Sequence, residues 1–172
     1  MATPLDEMLA AVHRTGGSVT VEIDRLYPTT APDLWSACTE PDRLARWFAR
    51  VTGDLRPGGG FTIHFDDDDT PACTLVDCTP PESFVWRWPV GGHDTTVTVE
   101  VAADPGGARL RLRHEGLPGG PAAGYAAGWD TYVRRLEADL SHDDAADGDA
   151  LPGWDATWGA LHPLYRAALA SA

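Results

Sequence analysis

From Phe61 to Glu115 the apolar residues recur at every second position, and only after Gly116–Gly120 does one long helical stripe follow. No other feature limits the fold as much. Phe61, Ile63 and Phe65 alternate, residues 72–78 face 83–88 across Thr79-Pro80-Pro81, and Val97, Val99 and Val101 share a face. Asp104-Pro-Gly-Gly107 then signals a hairpin. In the strand after it, Leu110, Leu112 and His114 lie on one face, with Arg109, Arg111, Arg113 and Glu115 on the other. Strands joined by tight turns form an antiparallel sheet, and such a sheet needs only one face covered. The cover has one candidate: Tyr125, Trp129, Tyr132, Val133, Leu136 and Leu140, a stripe about 25 Å long.

Upstream, Val19, Val21 and Ile23 alternate with polar residues in a strand that ends at Pro28. Thr30 with Pro32, and then Thr39 with Pro41, each open a short helix; these carry Leu34 and Trp35, and Leu44, Trp47 and Phe48. Residues 54–60 form a turn. Residues 4–13 place Leu5, Met8, Leu9 and Val12 at helical spacing, which predicts a helix closed by Gly16-Gly17. The expected divisions are an N-terminal helical extension over 1–17, the main domain over 18–141, an acidic linker over 142–152 and a helical extension over 153–172. The last piece carries Trp154, Trp158, Leu161, Leu164, Tyr165 and Leu169 and is expected to kink or restart at Pro163. It is expected either to close over the pocket or to pack on the outer face of the sheet.

The order of elements is that of the START-like helix-grip fold, an α+β architecture. A curved antiparallel sheet wraps a long C-terminal helix, and two short helices follow the first strand. Within that superfamily (SRPBCC), the sequence resembles the bacterial homologues of the C-terminal domain of the Hsp90 ATPase activator. The matching stretches are Pro32-Asp-Leu-Trp35, Thr39-Glu-Pro41, Leu44-Ala-Arg-Trp47-Phe48, Gly53-Asp-Leu-Arg-Pro-Gly-Gly59, Pro80-Pro81, Arg113-His114-Glu-Gly116-Leu117 and Gly128-Trp129. The resemblance spans about residues 18–140 and implies a cavity between helix and sheet that holds lipids, polyketides or other hydrophobic small molecules in various relatives. It brings no shared catalytic motif. The separate chaperone-binding domain of the eukaryotic activator has no counterpart here, so Hsp90 stimulation is not expected.

Composition narrows the partners. Thirteen basic residues, all Arg, stand against 26 acidic ones for a formal net charge of −13, which disfavours nucleic acid and anionic membranes. Cys38, Cys73 and Cys78 are too few and too odd for a disulfide framework. With no basic, apolar leader and no spanning stretch, a cytoplasmic bacterial protein is expected. A homodimer is compatible with all of this.

Metal and cofactor chemistry find no pattern. Cys73 and Cys78 are five apart, so in one strand they point to opposite faces, and no Cys-x-x-Cys exists. Starting a calcium loop at Asp143 puts Gly148 at position six, but Ala145 at three and Trp154 at twelve lack the required oxygens. Gly58-Gly59-Gly60 is followed by neither Lys-Ser nor Lys-Thr, so it is a turn and not a phosphate cradle. No Ser sits in Gly-x-Ser-x-Gly. No catalytic residue, metal or cofactor is therefore assigned.

A ligand site is expected from parity. His114 shares the covered face with Leu112, either as a core histidine satisfied by neighbours or as a polar anchor in an apolar pocket. Trp86 and Trp88 share parity with Phe84, and Tyr125, Trp129 and Tyr132 face them from the long helix. Arg25, in parity with Ile23, needs a carboxylate or a ligand anion if it points inward. The expected function is non-catalytic binding of a small hydrophobic molecule. The alternatives are a polyketide aromatase/cyclase and a protein-interaction domain using Trp154 and Trp158.

Overall fold

The computed structural model describes residues 3–141 and 151–172. The acidic stretch 142–150, with the calcium-loop reading and most of the expected linker, lies outside the described residues. The strands are β1 (Ala10–Thr15), β2 (Ser18–Tyr27), β3 (Arg50–Gly53), β4 (Gly60–His64), β5 (Ala72–Thr79), β6 (Ser83–Val90), β7 (His93–Asp104) and β8 (Gly107–Pro118). The helices are α1 (Ala31–Thr39), α2 (Pro41–Trp47), α3 (Ala122–Ser141) and α4 (Trp154–Ala170).

All eight strands join one sheet in the order β1-β2-β8-β7-β6-β5-β4-β3, every pairing antiparallel. Among the described residues the one long crossover between strands is the α1–α2 excursion, which sends the chain from β2 to β3 at the far edge. Register shifts between Val19 and Val21 and between Leu75 and Asp77 help bend the sheet. At the β7–β8 hairpin a glycine is required. Gly107 has φ +145°, and a Cβ there would fall 2.1 Å from the Tyr27 carbonyl oxygen.

The covered face carries the core: Val19, Val21, Ile23, Val97, Val99, Val101, Leu110 and Leu112 are all buried. On the opposite face Arg109 and Arg111 pair with Asp24, and Arg113 with Glu22. These exposed pairs add little stability but supply polar covering for the solvent side. The helix-grip expectation is met, with α3 lying across the covered face.

The N-terminal helix does not form. Residues 10–15 are a strand that pairs with β2, Val12 opposite Val21 and Thr15 opposite Ser18, through a Gly16-Gly17 turn with Gly16 at φ +61°. Four apolar residues at helical spacing are a weak signal against an open sheet edge, and Leu5 and Met8 both stay 43% exposed. The short strand β3, with Val51 as its one buried residue, carries too little pattern to be read. The last segment is a single helix that continues through Pro163. It lies along α3 and reaches β1, not the outer face of the sheet. Gly124 and Gly128 make room for it: a Cβ at either would sit 3.7 Å from the rings of Trp158 and Trp154 respectively. No described helix is long and apolar enough to cross a membrane.

Candidate functional site

His114 is fully buried and makes bonds through both ring nitrogens. The Trp129 indole Nε1 donates to His114 Nδ1 at 3.0 Å. An indole N–H can only donate, so Nδ1 carries the lone pair and the proton sits on Nε2. From there it is donated to Thr95 Oγ1 at 2.7 Å, and the Thr95 hydroxyl donates onward to the Trp88 carbonyl at 2.5 Å. The Trp88 ring stacks on the imidazole at 5.3 Å, and Tyr125 meets it edge-on at 5.4 Å. Burial depresses the His114 pKa from 6.5 to about 3. His114 thus orients Trp129 and anchors β6 through Thr95, as a neutral group.

Its titration gives a direct check. The His114 ring signals should stay unchanged from pH 8 to about 4 in NMR, and an inflection near pH 6 would contradict the network. The unfolded chain takes up a proton near 6.5 that the folded chain refuses until about 3. The His114 contribution to stability is therefore full above pH 6.5 and lost progressively as the pH falls toward 3.

Two hollows flank this hub. The inner one, about 120 Å³, lies between the covered face of the sheet, α3 and the short helices. Its wall is almost wholly apolar, including Phe61, Ile63, Leu75, Phe84, Trp86, Val99, Leu110, Leu112 and Val133, with Leu44, Phe48 and Leu55 from the α2 side. Trp86 is 6% exposed, and its indole N–H has no hydrogen-bond partner among the described residues. Burial pushes the thiol of the wall residue Cys38 up to about 12, which keeps it protonated and unreactive at neutral pH. The outer hollow is a groove of about 690 Å³ between α3, α4 and the β4–β5 loop. Phe48 and Trp129, stacked at 5.7 Å with planes 2° apart, line both and form the partition.

The residues expected at the site divide between these spaces. Trp86 and Leu112 line the inner cavity, Trp88, Tyr125 and Tyr132 line the groove, and Trp129 touches both. His114 lines neither. Arg25 does point toward α3, where it meets Glu137 at 3.3 Å, so its carboxylate partner is internal and it too lies outside both hollows. Sequence reasoning missed Phe48, Leu44 and Val51 as wall residues. The Leu44-x-x-Trp47-Phe48 spacing marks them as apolar but does not show what they face. Among the described residues, no three His, Cys, Asp or Glu side chains gather as a metal site.

A curved antiparallel sheet gripping a long helix over an apolar cavity places the chain in the START-like superfamily. Within it, residues 28–141 match the Activator of Hsp90 ATPase homolog 1-like protein family, and the chain belongs to that family. Among solved structures, CalU16 from Micromonospora echinospora is similar at 24% identity and a TM-score of 0.74, covering 93% of this chain and 96% of its own. A conserved protein of unknown function, EF2215 from Enterococcus faecalis, aligns with a TM-score of 0.75 at 16% identity, over 95% of this chain and 92% of its own. DynU16, from the dynemicin biosynthetic locus, aligns with a TM-score of 0.65 at 24% identity, over 74% of this chain and 48% of its own. No curated protein matches the sequence significantly.

Proposed function

We propose that this protein binds a small, largely apolar molecule in the inner cavity and does not transform it. The observation that carries this is the apolar cavity between the sheet and α3, lined by Trp86, whose buried indole N–H has no hydrogen-bond partner among the described residues. A buried donor without an acceptor costs roughly 1 to 3 kcal/mol, a cost that a ligand oxygen or nitrogen would remove. The ligand class is accordingly a ring-sized apolar body with one acceptor. A cavity of about 150 Å³ takes up benzene, so at about 120 Å³ a substituted ring enters when the partly exposed Leu44, Phe48 or Leu55 gives way. Among the described residues the wall offers no ionised nucleophile, since burial raises the thiols of both Cys38 and Cys78, and both nitrogens of His114 are occupied by Thr95 and Trp129. These facts favour binding over cyclase chemistry. The place of DynU16 in a biosynthetic locus is in keeping with a specialised metabolite as the occupant.

Benzonitrile and ethynylbenzene test the anchor, because they share a shape and differ in the hydrogen-bond acceptor. Calorimetric titration should show benzonitrile binding about tenfold tighter, the equivalent of one hydrogen bond. Trp86→Phe should erase the preference while leaving the fold intact. Equal affinities in the wild type would remove the anchor, and no saturable binding of either would remove the cavity function.

A further inference from the structure

We propose that the outer groove is a second site, for a small organic cation: a quaternary or protonated amine carried on a compact body. Its walls are aromatic. Tyr132 lies against Trp154 at 4.5 Å and Phe48 at 4.7 Å, Trp88 against Tyr125 at 5.4 Å, and Trp158 against His162 at 4.4 Å. Ring faces attract a cation within about 6 Å, and more strongly where water is excluded. Its rim is acidic: Asp66 and Asp69 from the β4–β5 loop and Asp155 from α4 all line the groove.

Among the described residues none of these carboxylates is in an ion pair. Asp66 instead accepts the backbone N–H groups of Asp68 and Asp69, which holds the loop in place. The guanidinium of the groove, Arg135, donates to the carbonyls of Trp47 and Pro152. Desolvation, and then the neighbouring Asp66, raise the pKa of Asp69, as expected for a carboxylate lacking a countercharge. A formal charge of −13 on the whole chain adds long-range attraction for cations and repulsion for anions. A neutral ligand would use the rings and leave the carboxylates idle. Trp154, Asp155, Trp158 and His162 of α4 complete the groove from beyond the residues 28–141 that match the family, and the site is separate from the inner cavity proposed above.

Acetylcholine and its uncharged isostere 3,3-dimethylbutyl acetate separate charge from shape. With the full chain, the indole N–H signals of Trp88, Trp154 and Trp158 are followed by NMR during titration. The cation should shift them saturably and bind roughly five- to tenfold tighter than the isostere. Asp69→Asn should weaken acetylcholine several-fold and leave the isostere unchanged. Benzonitrile binding in the same variant reports that the fold and the inner cavity are intact. Equal affinity for the two probes, insensitivity to Asp69→Asn, or no saturable shift with acetylcholine would each overturn the proposal.

Discussion

Asp130→Ala is expected to destabilise the fold by roughly 3 to 5 kcal/mol, a large share of the about 5 to 15 kcal/mol that holds a domain together. Asp130 is fully buried in α3, and its carboxylate serves three elements at once. Oδ1 accepts from Arg134 Nε at 2.7 Å, one helical turn on. Oδ2 accepts from the Leu9 backbone N–H at 2.8 Å and from the Tyr165 hydroxyl of α4 at 2.5 Å. Arg134 in turn donates to the carbonyls of Thr3, Pro4 and Glu7. Removing the carboxylate leaves a guanidinium without its countercharge and a phenol with no acceptor, both in a low-dielectric interior. Urea unfolding measures the loss. Replacing both partners, as Asp130→Leu with Arg134→Met, should recover only the part due to the orphaned charge, because the Leu9 N–H, the Tyr165 hydroxyl and the carbonyls of Thr3, Pro4 and Glu7 still lose their partners. A single variant as stable as the wild type would show that the network does not tie the N-terminal segment and α4 to α3.

His114→Ala should cost a comparable amount, about 3 to 5 kcal/mol, and lower the midpoint of thermal unfolding by roughly 10 °C. Deleting the ring opens a void among Trp88, Tyr125 and Trp129. It also strands the Trp129 indole N–H, the side chain that forms part of the wall of both hollows. Weaker ligand uptake in this variant would then follow from a loosened Trp129, not from a lost contact with the ligand. Calorimetric unfolding and benzonitrile titration on the same sample separate the two. Unchanged stability combined with abolished binding would mean that His114 touches the ligand after all.

Much of the architecture was legible because it rests on local periodicity. Alternation over Phe61–Glu115 and the stripe from Tyr125 to Leu140 are the sheet and α3, and their topology follows from short turns. Misreadings arose where distant partners decide. Residues 10–15 pair because β2 offers an edge, and nothing in their own spacing says so. Asp130 and Arg134 fall among the stripe residues as ordinary helix polar groups, and their partners lie at residues 3–9 and 165. Parity put His114 on the covered face and left Arg25 open between an inward and a cavity-mouth position, and it could not name Trp129 or Glu137 as what they meet. Phe84, Trp86 and Trp88 share a face. Yet the first two line the cavity and the third lines the groove, because parity assigns a face and not a position along a curved sheet.

The central claim is that the space between α3 and the covered face of the sheet takes up a molecule. The most direct measurement is intermolecular NOEs from benzonitrile to a methyl-labelled sample. Contacts are expected from its ring to the methyl groups of Val99, Leu110, Leu112 and Val133, with the Trp86 indole N–H shifting downfield as the nitrile nitrogen accepts it. Saturating benzonitrile that leaves those methyl groups and that N–H unmoved would contradict it.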